Sequence, residues 1–240
     1  MVQRNSPCVS FARMGEMNVQ AQIAALSEVL TSRPLPGWPS QSLACPPSRP
    51  RDLEERVRDA RQAGVVSLLC WHEGQWQVLL MLRTRDNTPH SGQLAFPGGA
   101  AEALDGGDLT RTALRELEEE VGISLREDQI MGRLSPIYIP PSHFFVQPVV
   151  ACCDGLPRIR LQEEEVAAVM WVPLSELPPP GKPWPNQSVR VRGGKVTVPG
   201  WPVEHHVLWG ATAMMMAELL EVCEASGFGL SFAGSISQES

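Results

Sequence analysis

A glycine turn that feeds an acidic helix constrains this chain more than any other segment. Phe96-Pro97-Gly98-Gly99 leads on to Leu114-Arg115-Glu116-Leu117-Glu118-Glu119-Glu120-Val121-Gly122-Ile123. Residues three and four apart on a helix are neighbours, so Glu116, Glu119 and Glu120 share a face. Leu114, Leu117 and Val121 fall at helical spacing on another face and pack inward. Asp108 suits an N-cap, and Gly122 suits the end of a helix over residues 109–121. Crowded like charges repel one another, and a divalent cation offsets that repulsion.

Magnesium is a hard cation that takes one or two protein carboxylates and fills its shell with water and substrate phosphate. Glu116 and Glu120, four apart, fit that role, and Glu119 suits a second ion or a metal-bound water. The backbone carbonyl of Gly99 joins them if the turn folds back on the helix, which a residue without a side chain allows. Manganese suits the same oxygens. Arg115 carries a fork of donors able to hold one of the glutamates through a bidentate pair. A run such as Glu118-Glu119-Glu120 is ordinarily a solvated helix face. Here the order of Gly-Gly, acids, Arg-Glu, an apolar residue, Glu-Glu, Gly and a further apolar residue is improbable from composition alone.

These residues resemble the Nudix box. Its second half matches from Arg115 to Ile123, whereas the first half departs: the sixth position after Gly99 is Asp105 in place of Glu, and Glu102 is an extra acid. FPGG followed by this expanded stretch is similar to the coenzyme A diphosphatase branch of Nudix hydrolases. Leu79-Leu80-Met81-Leu82-Arg83-Thr84 and Gly92 through Gly99 resemble that branch's second signature, with Thr88 where a second Arg is usual and Arg85 nearby. The likeness runs from about Ala63 to Val222, through Leu134-Ser135-Pro136-Ile137-Tyr138 and Trp209-Gly210-Ala211-Thr212-Ala213.

The resemblance implies an α/β fold, the Nudix α/β/α sandwich with a mixed central sheet. It implies Mg²⁺- or Mn²⁺-assisted hydrolysis of coenzyme A or a derivative, giving 3′,5′-ADP and 4′-phosphopantetheine products. Glu119 is the first candidate for the base that activates water, and Glu102 and the Glu163-Glu164-Glu165 cluster stay open. Arg115 stands with Glu119 and Glu102 in the catalytic set, and Arg83, Arg85 and Gly98 in the substrate-binding set. Another nucleoside diphosphate derivative (ADP-ribose, NADH), a nucleoside triphosphate, or a silent nucleotide-binding scaffold are the competing readings. The intact Arg115-Glu116 and Glu119-Glu120 oppose the last. His90, His143, His205 and His206 read as structural.

The remaining sequence sets bounds. At 240 residues the chain holds one large domain or two small ones, and its net charge of −7 disfavours a nucleic-acid backbone as partner. A small phosphorylated ligand is compatible with that charge, and a homodimer stays open. No apolar run of about eighteen residues or more suggests a membrane span. The cysteines are Cys8, Cys45, Cys70, Cys152, Cys153 and Cys223, without a C-x-x-C pair; Cys152 and Cys153 read as core packing, and a reducing cytoplasm is the simplest setting. Residues 1–16 lack the apolar core of a secretory signal and read as a disordered leader, with Met17 an alternative start.

Residues 17–62 read as two helices, over 17–31 and 52–63, joined by a Pro-rich extended surface strap. The Nudix domain follows over 63–226 and a tail over 227–240. A hairpin is expected from strands 65–71 and 76–82 around Glu73-Gly74, with further strands over 132–138, 144–153 and 167–172. A second hairpin is expected around Gly193-Gly194, and an apolar helix over 210–225. Met214-Met215-Met216 in that helix reads as core filling.

Overall fold

The computed structural model describes residues 10–49, 57–85, 90–191 and 194–228. Its centre is a hairpin of two apolar strands, β1 (Arg61–His72) and β2 (Gln75–Arg83). Glu73 and Gly74 join them, both at positive φ (50° and 80°). That turn geometry follows the right-handed twist of the strands and keeps the pair in register, Trp71 opposite Trp76.

β7 (Phe144–Asp154) lies parallel to β1, from Arg61 beside Phe144 to Trp71 beside Asp154. β8 (Val166–Pro173) runs antiparallel along β2. The short strands β3 (Leu94–Ala95) and β4 (Gly98–Ala100) add to β2 and β1, and β5 (Ile130–Arg133) and β6 (Ile137–Ile139) add to β7. The sheet is therefore mixed, as expected.

Alternation along β1 builds the layers, because successive side chains point to opposite faces. Val66, Leu68 and Cys70 pack with Leu117 and Val121 of the box helix, here α3 (Leu109–Val121). Leu69, Val78 and Leu80 pack on the opposite face. There they meet Leu26 and Leu30 of α1 (Ser10–Ser32) and the methionines of α4 (Gly210–Ala225). α4 is mostly apolar and largely buried, with Met214, Met215 and Met216 in the core. Phe228, just beyond it, is buried and stacks on Trp76 at 4.6 Å.

Several expectations are corrected. The helix expected over 52–63 falls partly on residues 50–56, outside the described residues. Its last residues are strand: Ala63 pairs with Ala100 and Val146, and sheet pairing overrides a weak helical pattern. The single strand expected over 132–138 is two strands, because Pro136 has no N–H to donate and breaks the ladder.

The Pro-rich strap does not stay extended on the surface. It forms the single turn α2 (Trp38–Gln41) and a 3₁₀ turn, Ser42–Ala44. Pro39 is tolerated because the first helical turn leaves N–H groups unpaired. The fully buried carboxylate of Glu218 on α4 holds the strap, accepting from the Gly37 N–H (3.0 Å), the Gln41 side-chain amide (2.9 Å) and the Ser135 N–H (3.2 Å).

The second hairpin, β9 (Asn186–Val191) and β10 (Gly194–Val203), gains an unexpected third strand, β11 (His206–Trp209). Arg192 and Gly193 in its turn lie outside the described residues. Cys153 is not merely core filling: it is joined in a disulfide to Cys70, its neighbour across the parallel pair, with Cα atoms 5.0 Å apart. Among the described residues no helix is long and apolar enough to cross a membrane.

Candidate active site

α3 starts and stops where its sequence dictates. The Asp108 carboxylate accepts from the Thr110 N–H at 2.9 Å, and Gly122 closes the helix in the left-handed conformation at φ 72°. The helix carries Arg115, Glu116, Glu119 and Glu120 toward the Phe96–Gly99 turn.

Arg115 organises this surface. Its Nε and one Nη donate to the two oxygens of Asp105 at 3.0 and 3.1 Å. The other Nη donates to Glu116 (3.0 Å) and Glu119 (2.8 Å), and the first also donates to the Ala100 carbonyl (3.0 Å). A guanidinium has five N–H donors, so these contacts occupy all of them. The bidentate partner is thus Asp105 and not one of the glutamates, a correction to the sequence reading. Asp105 is buried and also accepts from Thr112 and from the Glu102 N–H. The Arg115 contacts, foremost, hold its carboxyl far below the usual carboxylate range. The Asp105 bond likewise raises Arg115 well above its ordinary value. The only sequence signal for Asp105 was its place in the box.

The glycine turn folds back on the helix. The Gly98 N–H donates to Glu120 at 2.8 Å. A Cβ on Gly99 would lie 2.5 to 2.6 Å from the Cδ and Oε2 of Glu116, so only glycine leaves this carboxylate in place.

A cavity of about 700 Å³ opens between turn, helix and sheet. Its walls bring together Gly98, Gly99, Glu102, Arg115, Glu116, Glu119 and Glu120 with Arg83, His90 and Glu165. Arg85 is exposed and is not among the lining residues, Glu163 and Glu164 are exposed, and Thr88 lies outside the described residues. His143 bonds the Tyr138 hydroxyl at 2.8 Å, a structural contact. Burial, foremost, holds His90 below its ordinary range; Gln93 opposes this and Arg83 adds to it.

Glu120 has a 3% exposed side chain. Burial pushes its carboxyl up to about 8 against the opposing Gly98 N–H and Arg83, and Glu116 and Glu165 push it further the same way. Arg83 stands off at 3.6 Å. Burial also raises Glu116, against the pull of Arg115. Buried acids with too little positive charge beside them, in a cradle kept clear by Gly99, are a hard-oxygen donor set that fits a divalent cation. Among the described residues no three such side chains are already gathered at ligating distance. Glu119, 57% exposed, is drawn toward Arg115 instead.

Sheet, glycine turn and acidic helix together define a domain built to handle phosphate anhydrides. The NUDIX domain family matches residues 60–191, and the chain belongs to that family. Nudix hydrolases act on diphosphate substrates and are generally dependent on a divalent metal. An uncharacterized Nudix hydrolase of Pectobacterium atrosepticum, NudL, is 35% identical over 163 residues, covering 68% of this chain and 83% of that protein. The peroxisomal coenzyme A diphosphatase ndx-8 of Caenorhabditis elegans is 33% identical over 128 residues, 52% of this chain and 54% of that protein. A MutT/nudix family protein of Enterococcus faecalis shares the fold, with TM-score 0.51 and 16% identity over 71% of this chain and 68% of that one.

Proposed function

We propose that this Nudix hydrolase cleaves the diphosphate of coenzyme A or its derivatives to 3′,5′-ADP and 4′-phosphopantetheine products. The observation that carries the reading is one cavity lined by Glu116, Glu119, Glu120 and Arg83 beneath an FPGG turn. The likeness to a coenzyme A diphosphatase supports the substrate class.

Glu116 and Glu120 would hold Mg²⁺ or Mn²⁺, with Glu119 and the Gly99 carbonyl completing the protein's share. The bound ion would neutralise charge on phosphate oxygens and acidify a bound water. Arg83 lines the same cavity and grips a phosphate. Arg115 has no donor left for substrate, so it acts as a positioning residue that aims Glu116 and Glu119. Glu165 joins Glu119 and Glu102 as a candidate to accept the proton of the attacking water, since all three line the cavity. With Arg85 off the wall and Arg83 at the diphosphate, no lining arginine is assigned to the 3′-phosphate, and this keeps another nucleoside diphosphate derivative as the second reading.

The test is product identification after incubation with coenzyme A and Mg²⁺, beside dephospho-coenzyme A, ADP-ribose and NADH. The expected result is 3′,5′-ADP with coenzyme A preferred. Glu116→Gln and Glu120→Gln should each lose about 10² or more in turnover with the fold intact. Near-normal turnover of both at saturating Mg²⁺ refutes the metal assignment, and preference for ADP-ribose or NADH refutes the substrate.

A further inference from the structure

A second compartment of about 190 Å³ adjoins the carboxylate cavity. The two share His90, Gln93, Ile139, Pro141, Trp209 and Ala211 as walls, so a single ligand can span them. The rest of its lining comes largely from outside the part of the chain that matches the Nudix family. Pro46, Ser48 and Arg49 come from the N-terminal strap, and Gly210 and Met214 from α4, whereas the family match covers residues 60–191.

Its chemistry differs from that of the main cavity. The carboxylates that line the first cavity, Glu102, Glu116, Glu119, Glu120 and Glu165, do not line the second. Proline, isoleucine, tryptophan and methionine side chains make most of its wall, and the cation is Arg49. One Nη of Arg49 donates to the Tyr138 carbonyl at 2.5 Å, which anchors the guanidinium, while its Nε is buried without a partner. A buried donor without an acceptor costs about 1–3 kcal/mol, which a ligand oxygen drawing the guanidinium round would recover. At about 30 Å³ of liquid per water the compartment holds about six waters, room for part of a chain and too little for a whole nucleoside.

We infer that this compartment binds the non-nucleotide arm of the substrate, an extended and mainly apolar chain carrying amide or thioester carbonyl oxygens as acceptors. The inference rests on the proposed hydrolysis of coenzyme A-type diphosphates and names which end of the substrate lies where. The diphosphate sits against Glu116, Glu120 and Arg83. The pantetheine-like arm then passes His90 and Trp209 into the space beneath the strap. A nucleotide base is the poorer occupant, because beside Arg49, Ser48 and apolar groups the side-chain lining offers no carboxylate to receive an exocyclic amine, and the amide oxygen of Gln93 already faces the His90 ring at 3.4 Å.

The experiment measures binding of reduced pantetheine and of 3′,5′-ADP, each alone with Mg²⁺, to the full chain and to two variants. Ser48→Trp fills the mouth from an exposed position of low folding risk, and Arg49→Met removes the donor. The expected result is that both variants weaken pantetheine by about tenfold or more, the order of one lost charge-assisted bond or a blocked pocket. Binding of 3′,5′-ADP should stay within about twofold. Pantetheine that binds wild type and variants alike, or fails to bind wild type, overturns the inference. Loss of 3′,5′-ADP binding instead also overturns it, since the nucleotide end would then occupy the compartment. Coenzyme A hydrolysis, followed in parallel, separates the two proposals. Hydrolysis without pantetheine binding removes the arm site alone; pantetheine binding lost in both variants without hydrolysis removes the reaction alone.

Discussion

Gly64→Ala should uncouple the acidic helix from the sheet. Gly64 sits in β1 opposite Gly99 and directly beneath the first turns of α3. A Cβ there would lie 2.9 Å from the Ala113 backbone nitrogen and 3.1 Å from its Cβ, and closer still to the Leu109 carbonyl oxygen. Ordinary contact begins near 3.4 Å. The obstructing atoms are helix backbone, which has no rotamer to change, so α3 as a whole must lift by about 1 Å. Overpacking costs about 1–3 kcal/mol, and a rigid backbone obstacle places this variant near the upper figure. For a chain of this size that lowers Tm by about 6–12 °C. The glutamates ride on the displaced helix, and a misplacement of about 1 Å costs on the order of 10²-fold in rate. Differential scanning fluorimetry and a single diphosphate-hydrolysis assay read both effects. A variant melting within about 2 °C of wild type and turning over within about twofold would refute the packing argument.

In metal-free buffer, stability should fall as pH rises from about 4.5 to about 8, because folded Glu120 keeps a proton that the unfolded chain releases. The effect is at most about 5 kcal/mol, Glu120→Gln should flatten it, and added Mg²⁺ should raise Tm more at pH 8 than at pH 6; chemical denaturation across pH checks the sign. Glu218→Ala should cost about 3–5 kcal/mol in urea unfolding, since it leaves the Gly37 and Ser135 N–H groups and the Gln41 amide without their buried acceptor. Chelation of divalent ions should abolish not only turnover but also calorimetric binding of the diphosphate substrate; undiminished binding in chelator would contradict the charge balance of the cavity.

Local signals were read well from the sequence and distant partnerships were not. Asp108 and Gly122 bound the box helix because capping is decided within a few residues. Glu73-Gly74 and the apolar run over 210–225 gave their elements for the same reason. Asp105 was seen as a departure from the box, but nothing in spacing says that it, and not a glutamate, takes the fork of Arg115. Cys70 and Cys153 meet only because β1 and β7 run parallel with a crossover between them, and parallel pairing leaves no local mark. Glu218 carries no local mark of its role. Its role depends on backbone donors from the strap and from Ser135, far away in sequence. The fold of the Pro-rich strap is not legible in its composition, which describes local stiffness, whereas its docking is set by that carboxylate.

The charge of the cavity links these contacts to the chemistry. Glu102, Glu116, Glu119, Glu120 and Glu165 face it. Of the arginines on its walls, Arg115 has every donor committed to the protein, and Arg61 lies over the Phe144 ring at 4.3 Å. Arg83 faces the acids directly and is already shared with Glu120 at 3.6 Å. A diphosphate entering such a site alone would meet net repulsion in a partly desolvated space, where Coulomb terms are several times larger than in water. Glu116 and Glu120, holding a divalent ion, would reverse the sign locally, and Arg83 would then be free to turn from Glu120 toward the phosphate. Ion and substrate would therefore each strengthen the binding of the other by the same factor. On this account the crowded acids would admit an anionic substrate only in company with a divalent cation.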